Sequence, residues 1–371
     1  MSYNPTRIVK IEGTEISEDV SADIISVSCE DHAVDADMAT LTVNNQDAKW
    51  IDTDTFEKGK TVEIFLGYGH TTEKVFKGTI VRPELSFPED GVPMLTVRAY
   101  DLSHRMRRNE EKKNSTWENV TDARLARKIA SKHGFKTSDM IIDDTEETVP
   151  YIAQGNVTDW EFLKERARRI GFELYVELDE FHFHKPRDYM KRIPGTYEYR
   201  SNLKSFEPRL TTQNQVSKVI VKGWNAQKKE PIIAVATSAT AVERQVLGSQ
   251  PGSDFVKEDF GEGARILHDR VPGTQKEAEE LAKAFFRQKE YGLIEAHGTC
   301  IGDPTLKAKS LVAIAGVGQK YSGDYYVTRV SHTIDESGYL CEFDCKRNAI
   351  SAPDKRGTAK VESAAGMGYG I

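Results

Sequence analysis

The residues from Gly302 to His332, GDPTLKAKSLVAIAGVGQKYSGDYYVTRVSH, constrain the fold of this chain more than any other stretch. A Gly-Asp-Pro corner opens it. Apolar residues then alternate through Leu311, Ala313 and Ala315, a Ser322-Gly323-Asp324 turn follows, and Tyr326, Thr328 and Val330 lead into His332. Side chains on a strand point alternately to its two faces, so this period between glycine-rich turns predicts short, half-buried antiparallel strands. No nucleophile beside its base, metal cage or phosphate loop stands in it, which points to assembly before catalysis.

The rest of the chain divides into four parts. Residues 1–105 read as all-β. TLTVNN, TVEIFLGYG, KVFKGTIV and MLTVRAYD are punctuated by Asn44-Asn45, Gly67, Gly69 and Pro88-Glu89-Asp90-Gly91, a pattern that favours a barrel or sandwich. The mixed-charge run HRMRRNEEKKNS, 104–115, reads as a solvated linker or helix face rather than a phosphate site, because acidic residues follow its basic half at once. Residues 116–196 read as an α+β insert. Thr158 and Glu161 fit a capping box, Trp160, Leu163, Ala167 and Ile170 form one apolar stripe, and Gly171 stops the helix. A hairpin follows through Phe172, Leu174, Val176, Leu178, an Asp179-Glu180 turn, Phe181 and Phe183, ending at Pro186. An earlier Thr121-Asp122…Gly134-Phe135 frame repeats the grammar, which shared capping rules explain. Residues 197–350 read as a second β region with one helix capped by Thr274 and a long exposed loop over 237–263, and 351–371 as a flexible tail.

Bulk properties bound the function. The 371 residues suffice for several cores, and 38% hydrophobic with 29% charged residues is an ordinary globular balance. A formal net charge of -7 disfavours a broad grip on nucleic acid. No apolar run reaches membrane-spanning length and the start MSYNPTRIVK has no signal-peptide core, so the expectation is synthesis in a cytosol without stable membrane insertion. Four cysteines are too few for a disulfide scaffold; Cys341 and Cys345 read as buried thiols on one side of a strand.

His182 and His184 in FHFHKP would face one side of a strand as metal ligands do, but they lack a third ligand, and Phe181 and Phe183 already explain the strand. His332 has no Ser or Cys elbow to serve and reads as a structural histidine. Glu161, Glu165, Glu173 and Glu177 invite a paired-carboxylate hydrolase, yet their spacing fits ion pairing and solvation. Trp224 among Lys222, Lys228 and Lys229 falls short of a single-strand-binding surface. No catalytic, cofactor-binding or metal residue is assigned, and no enzyme activity or cofactor is expected.

The order of these elements resembles a known group. FKGTIVRPELSF, LTVRAYDLSHRM, WEFLKERARRIGFELYVELDEFHFHKP, VSKVIVKGWNAQKKEPI and the GDPTLKAKSLVAIAG…GDYYVTRVSHTIDESGYLCEFDCKR close are together similar to the baseplate hub family of contractile tails. That is the phage late control protein D group, related to the T4-type hub and to the N-terminal part of type VI secretion spike proteins. The resemblance implies an α+β, mainly β fold with two β-barrel-like tube-forming domains and an inserted α+β domain. It implies a homotrimeric symmetry adaptor joining a sixfold tail tube to a threefold central spike. Its partners would be the tube protein, the spike protein and baseplate wedge or other baseplate proteins, with no specific nucleic-acid binding. The place implied is a virion tail baseplate or extracellular contractile particle assembled in the bacterial cytoplasm, with the spike a separate polypeptide. Members of the group carry glycine in the turn where Lys309-Ser310 stands here. A tail-associated muramidase or peptidase is the alternative.

Overall fold

A computed structural model of the protein describes residues 4–108, 113–185, 192–211, 215–225, 228–240, 246–254, 257, 263–267 and 272–351. Pro186, part of the 104–115 run, part of the 237–263 loop and, beyond Ser351, the C-terminal tail lie outside them. The fold is α+β and mainly β.

Strands from both β regions lie in one thirteen-stranded sheet. The N-terminal strands are ordered from Thr14–Glu15 through Pro5–Ile11, Thr61–Tyr68, Thr71–Ser86, Met94–Tyr100 and Met38–Asn44 to Ile24–His32. Ile24–His32 then pairs antiparallel with Gly323–Asp335, His32 opposite Arg329 and Val27 opposite Ile334, and the sheet continues through Gly338–Arg347 and Ile294–Ile301 to Leu203–Leu210. The two β regions also share one core, with Val27, Ile64 and Leu95 from one side and Val312, Val330 and Phe343 from the other. Alternation builds it: Met38–Asn44 buries Ala39, Leu41 and Val43 and leaves Thr40 and Thr42 outside.

Two details depart from the alternation expected in the Gly302–His332 stretch. Leu311 to Ile314 are all buried, Val312 and Ile314 within the main core, and the strand is paired on both edges, in parallel with Tyr197–Glu198 and antiparallel with Gly323–Asp335. A bulge between Val327 and Arg329 switches the phase of the long strand. Tyr325 and Val327 face the core before it, and Val330, His332 and Ile334 after it.

The 113–185 segment holds a second core around Leu125, Ile129, Trp160, Leu163, Phe181 and Phe183. Helix Asp159–Ile170 carries the capping box as read: Thr158 accepts from the Glu161 N–H, Glu161 accepts from the Thr158 N–H, and Gly171 closes the helix at φ 70°. The repeated Thr-Asp frame has a structural use. Asp122 of helix Asp122–Lys132 accepts both arms of Arg166 on the other helix, at 2.6 and 2.9 Å. In return Asp159 takes His133, at the first helix's C-terminal cap, at 2.8 Å. Each acidic first-turn residue is thus held by the partner helix as well as by its own dipole.

Residues 215–290 carry a third core. Strands Lys218–Asn225, Glu230–Thr237 and Ala264–Leu267 form a small sheet, and helix Gln275–Glu290 covers one face with Ala278, Leu281, Ala282 and Phe286. The segment read as an exposed loop is partly anchored. Leu247 is buried, its N–H donates to Asn348 Oδ1, and Gln250–Pro251 pairs with Ala349–Ile350. Small and polar residues hid that anchorage, because Arg347 and Asn348 supply it from 100 residues away.

Arg166→Met removes the bidentate partner of a carboxylate that is 3% exposed. The expected loss is about 3 kcal/mol in denaturant unfolding, concentrated in the 113–185 unit. Faster amide exchange there than in the large sheet would bear this out; uniform or absent destabilisation would contradict it.

Candidate functional site

The loop from Gly302 to Ser310 is the place where the three structural parts meet. A Cβ at Gly302 would lie 2.1 Å from the Tyr339 ring, so only glycine lets the chain leave strand Ile294–Ile301 there. Asp303 then folds the corner: its Oδ1 accepts from the Thr305 N–H and hydroxyl, and its Oδ2 from Tyr197 Oη at 2.8 Å. Tyr68, from the N-terminal region, donates to the Gly302 carbonyl at 3.0 Å. Lys309 sits at φ 65°, in the left-handed region that glycine enters most freely.

Lys309 replaces that freedom with an ion pair. Its Nζ reaches Asp31 Oδ1 at 2.8 Å and the His32 carbonyl at 3.0 Å, and the Ala308 N–H donates to Asp31 Oδ2 at 2.9 Å. The ammonium also lies 5.2 Å from the ring of Tyr175 in the insert. Lys307 pairs with Glu177 of the insert at 3.1 Å, and Lys77 of the N-terminal region with Asp179 at 2.6 Å. One loop therefore joins both β regions and the insert.

The junction holds more acid than base. Burial alone would raise Asp31, but the Lys309 ammonium beside it holds it below the ordinary carboxylate range. Burial would lower Lys309, and Asp31 and Asp37 together push it up instead. Asp37 is raised well above the usual range by burial and then by the charge of Asp31. Asp101 is raised too, by burial, and accepts from the Asp37 N–H at 3.1 Å and the Ser103 hydroxyl at 2.6 Å.

A row of polar residues crosses the seam inside the core. Cys300 stands opposite Cys341, Cys341 opposite His332, and His332 opposite Cys29 on four adjacent strands. His332, 2% exposed, has Nδ1 at 2.8 Å from Tyr339 Oη and 3.2 Å from Cys341 Sγ, and Nε2 at 2.9 Å from the Leu306 carbonyl. Burial opposes ionisation of Cys341, but the Cys300 thiol and His332 outweigh it and bring it well below the usual thiol range. Burial lowers His332 less than Cys341 and Asp31 raise it. This is a satisfied internal network closed to solvent; it orients the 302–310 loop.

The other residues singled out in the sequence do not converge on one place. His182 stacks on Tyr175 with centroids 4.3 Å apart, while His184 meets Tyr175 Oη at 3.2 Å and the Lys185 carbonyl at 2.7 Å, so the pair shares a side but takes other partners. Glu161 caps its helix, Glu165 pairs with Arg169 at 3.4 Å, Glu177 with Lys307, and burial raises Glu173. Cys345 is buried in the core, and burial raises its thiol. The basic run is more than a solvated linker. Met106 is buried in the insert core, Arg107 lies 4.0 Å over the Trp160 ring, and His104, Arg105 and Arg107 line an open cleft of about 600 Å³. Nothing in the residues near Lys309 names Asp31 as its partner, 278 positions away.

Solved structures with this architecture are phage tail proteins and type VI secretion components. The 43 kDa tail protein of prophage MuSo2 from Shewanella oneidensis is 15% identical with a TM-score of 0.69, over 94% of this chain and 100% of that one. A tail protein from Neisseria meningitidis MC58 is 14% identical with a TM-score of 0.64, over 93% and 97%. An Escherichia coli type VI secretion component, described as structurally similar to T4 bacteriophage tail proteins gp27 and gp5, is 10% identical with a TM-score of 0.55, over 91% and 76%. The fold is therefore the one these tail proteins share. Residues 3–336 match the family described as the Alg8 N-terminal domain, and the chain belongs to that family. No curated protein matches it.

Three substitutions probe the junction. Lys309→Met leaves Asp31 charged and unpaired, with an expected loss of about 3–5 kcal/mol. Lys309→Gly releases about 1 kcal/mol of backbone strain and still ends destabilised. A Lys309→Gly protein as stable as the parent would contradict this account. Asp37 has a raised folded-state pKa, so its contribution is present below the ordinary carboxylate range and fades as pH rises through the raised value. Asp37→Asn mimics the protonated form and should raise the melting temperature above that range, leaving acidic pH little changed. Equal shifts at both pH values would argue against it.

Proposed function

We propose that the protein is a non-enzymatic baseplate hub at the tip of a contractile tail or injection particle, of the late control protein D kind. The observation that carries this reading is the single sheet built from both β regions and locked at the 302–310 loop, within a fold shared along the chain with tail proteins. In this reading the divisions are 1–105 and 197–350 as tube-forming parts, 116–196 as the insert and 351–371 as a tail. Three copies then supply six tube-like units, which match a sixfold tube on one side and a threefold spike on the other. Its partners are the tube protein, the central spike and other baseplate proteins, and its place is the tail baseplate.

The physical logic is load transfer. A part pushed through an envelope must not hinge between its tube-forming halves, and a shared core with a buried ion pair resists that hinge better than a linker would. Three of the four carboxylates that would serve a wall hydrolase, Glu161, Glu165 and Glu177, are occupied in capping and ion pairs, and Glu173 has no paired carboxylate among them left free to work with it.

Coexpressed with tube and spike, the chain is expected to co-purify with both and to have a mass three times its 41.7 kDa. It should release no fragments from peptidoglycan. Release of fragments, or failure to bind either partner, would sink the reading.

A further inference from the structure

We propose that the small sheet is a docking face for a second copy of this chain, and that what it receives is the copy's acidic apolar loop from Phe87 to Val92. The contact is head to tail, and it rests on the assembly reading above for its purpose.

The exposed large apolar side chains are unevenly placed among the described residues. Trp224, Ile233, Val235 and Ile266, at 51, 54, 48 and 36% exposure, lie on one face of one three-stranded sheet. Phe87 and Val92, at 64 and 46%, lie on one loop, and Leu85, at 42%, is near the end of the strand that leads into it. The others, Ile25, Val34, Tyr151 and Tyr199, are on separate elements. Scattered apolar residues are normal on a surface, but a contiguous set marks an interaction site.

Register makes the sheet face contiguous. Ile220 lies opposite Val235 on one side and Ile266 on the other, Lys222 opposite Ile233, and Trp224 opposite Pro231. Helix Gln275–Glu290 buries Val219, Val221, Ile232 and Ala234 on the reverse side, and among the described residues Trp224, Ile233 and Val235 on this face stay about half exposed. Between Ile220 and Trp224, and at the register positions opposite them, the charged residue on this face is Lys222.

The loop is the complement. It joins strands Thr71–Ser86 and Met94–Tyr100 and presents Phe87, Glu89, Asp90 and Val92, all exposed, with no lysine or arginine between Pro83 and Val97. Pro88 and Pro93 restrict it, which reduces the entropy lost on docking. An apolar acidic projection and an apolar basic face on the same chain are the two halves of a heterologous contact. Such contacts close into rings when the rotation between copies allows. This complementarity favours a second copy over an unrelated protein.

The test uses engineered thiols, because all four native cysteines are buried. Val92→Cys and Ile233→Cys chains are mixed under mild oxidation. A covalent dimer is expected from the mixture and not from either variant alone, and the doubly substituted chain should give a covalent ladder. Lys222→Glu should weaken self-association about tenfold, and adding Glu89→Lys with Asp90→Lys should restore it. The proposal is overturned if the mixture stays uncrosslinked, if either variant crosslinks with itself as well as the mixture does, or if the parent chain is monomeric at its highest soluble concentration. Each of those results leaves binding to tube and spike to be measured separately, so failure of this contact is distinct from failure of the hub reading.

Discussion

The antiparallel pairing of Ile24–His32 with Gly323–Asp335 is the contact on which the rest of the molecule depends. It converts two β regions into one sheet and one core, and everything placed relative to one half is thereby placed relative to the other. The Asp31–Lys309 pair guards its end. A buried ion pair adds little net stability over apolar packing, but loss of either partner is severe, so such a pair selects one arrangement against its neighbours. Here the selected arrangement is the register of the seam and the path of the 302–310 loop. The left-handed backbone at Lys309 is part of the same choice, since strain there persists only while the ammonium is held.

Local features of this fold were legible in the sequence. The Thr158–Glu161 box, the stop at Gly171 and the hairpin through Phe181 and Phe183 depend on residues a few positions apart, and their chemistry is written in consecutive letters. Features set by distant partners were not. The bulge at Val327/Arg329 falls inside a run that reads in the sequence as unbroken alternation, and the pairing of Ile314 and Ala315 with Tyr197 and Glu198 joins residues far apart in the chain. Lys309 finds Asp31 across 278 positions. The repeated Thr-Asp frame lies between these cases. Capping explains its letters, but only the folded insert reveals that each aspartate also binds the other helix.

The candidate site differs from an active site in a physical respect. Of its perturbed groups, His332 and Cys341 are buried and Asp31, Asp37 and Lys309 are partly buried and engaged with one another, whereas a catalytic group needs perturbation together with access. Perturbed ionisation here reports the electrostatics of a joint. The same reasoning separates the exposed apolar face of the small sheet from the core, because what is left uncovered in one chain is available to the next.

The seam also has a consequence for synthesis. The strand Ile24–His32 leaves the ribosome roughly 300 residues before its partner, which at ~5–20 residues per second means a wait of about 15–60 seconds with one edge open. An unpaired edge of that kind invites pairing with the wrong chain. Glu30 and Asp31 place charge at one end of that strand; Glu30 later pairs with Arg329 across the seam at 3.6 Å, and Asp31 with Lys309. The residues that fix the finished joint thus also shield the growing chain before the joint exists.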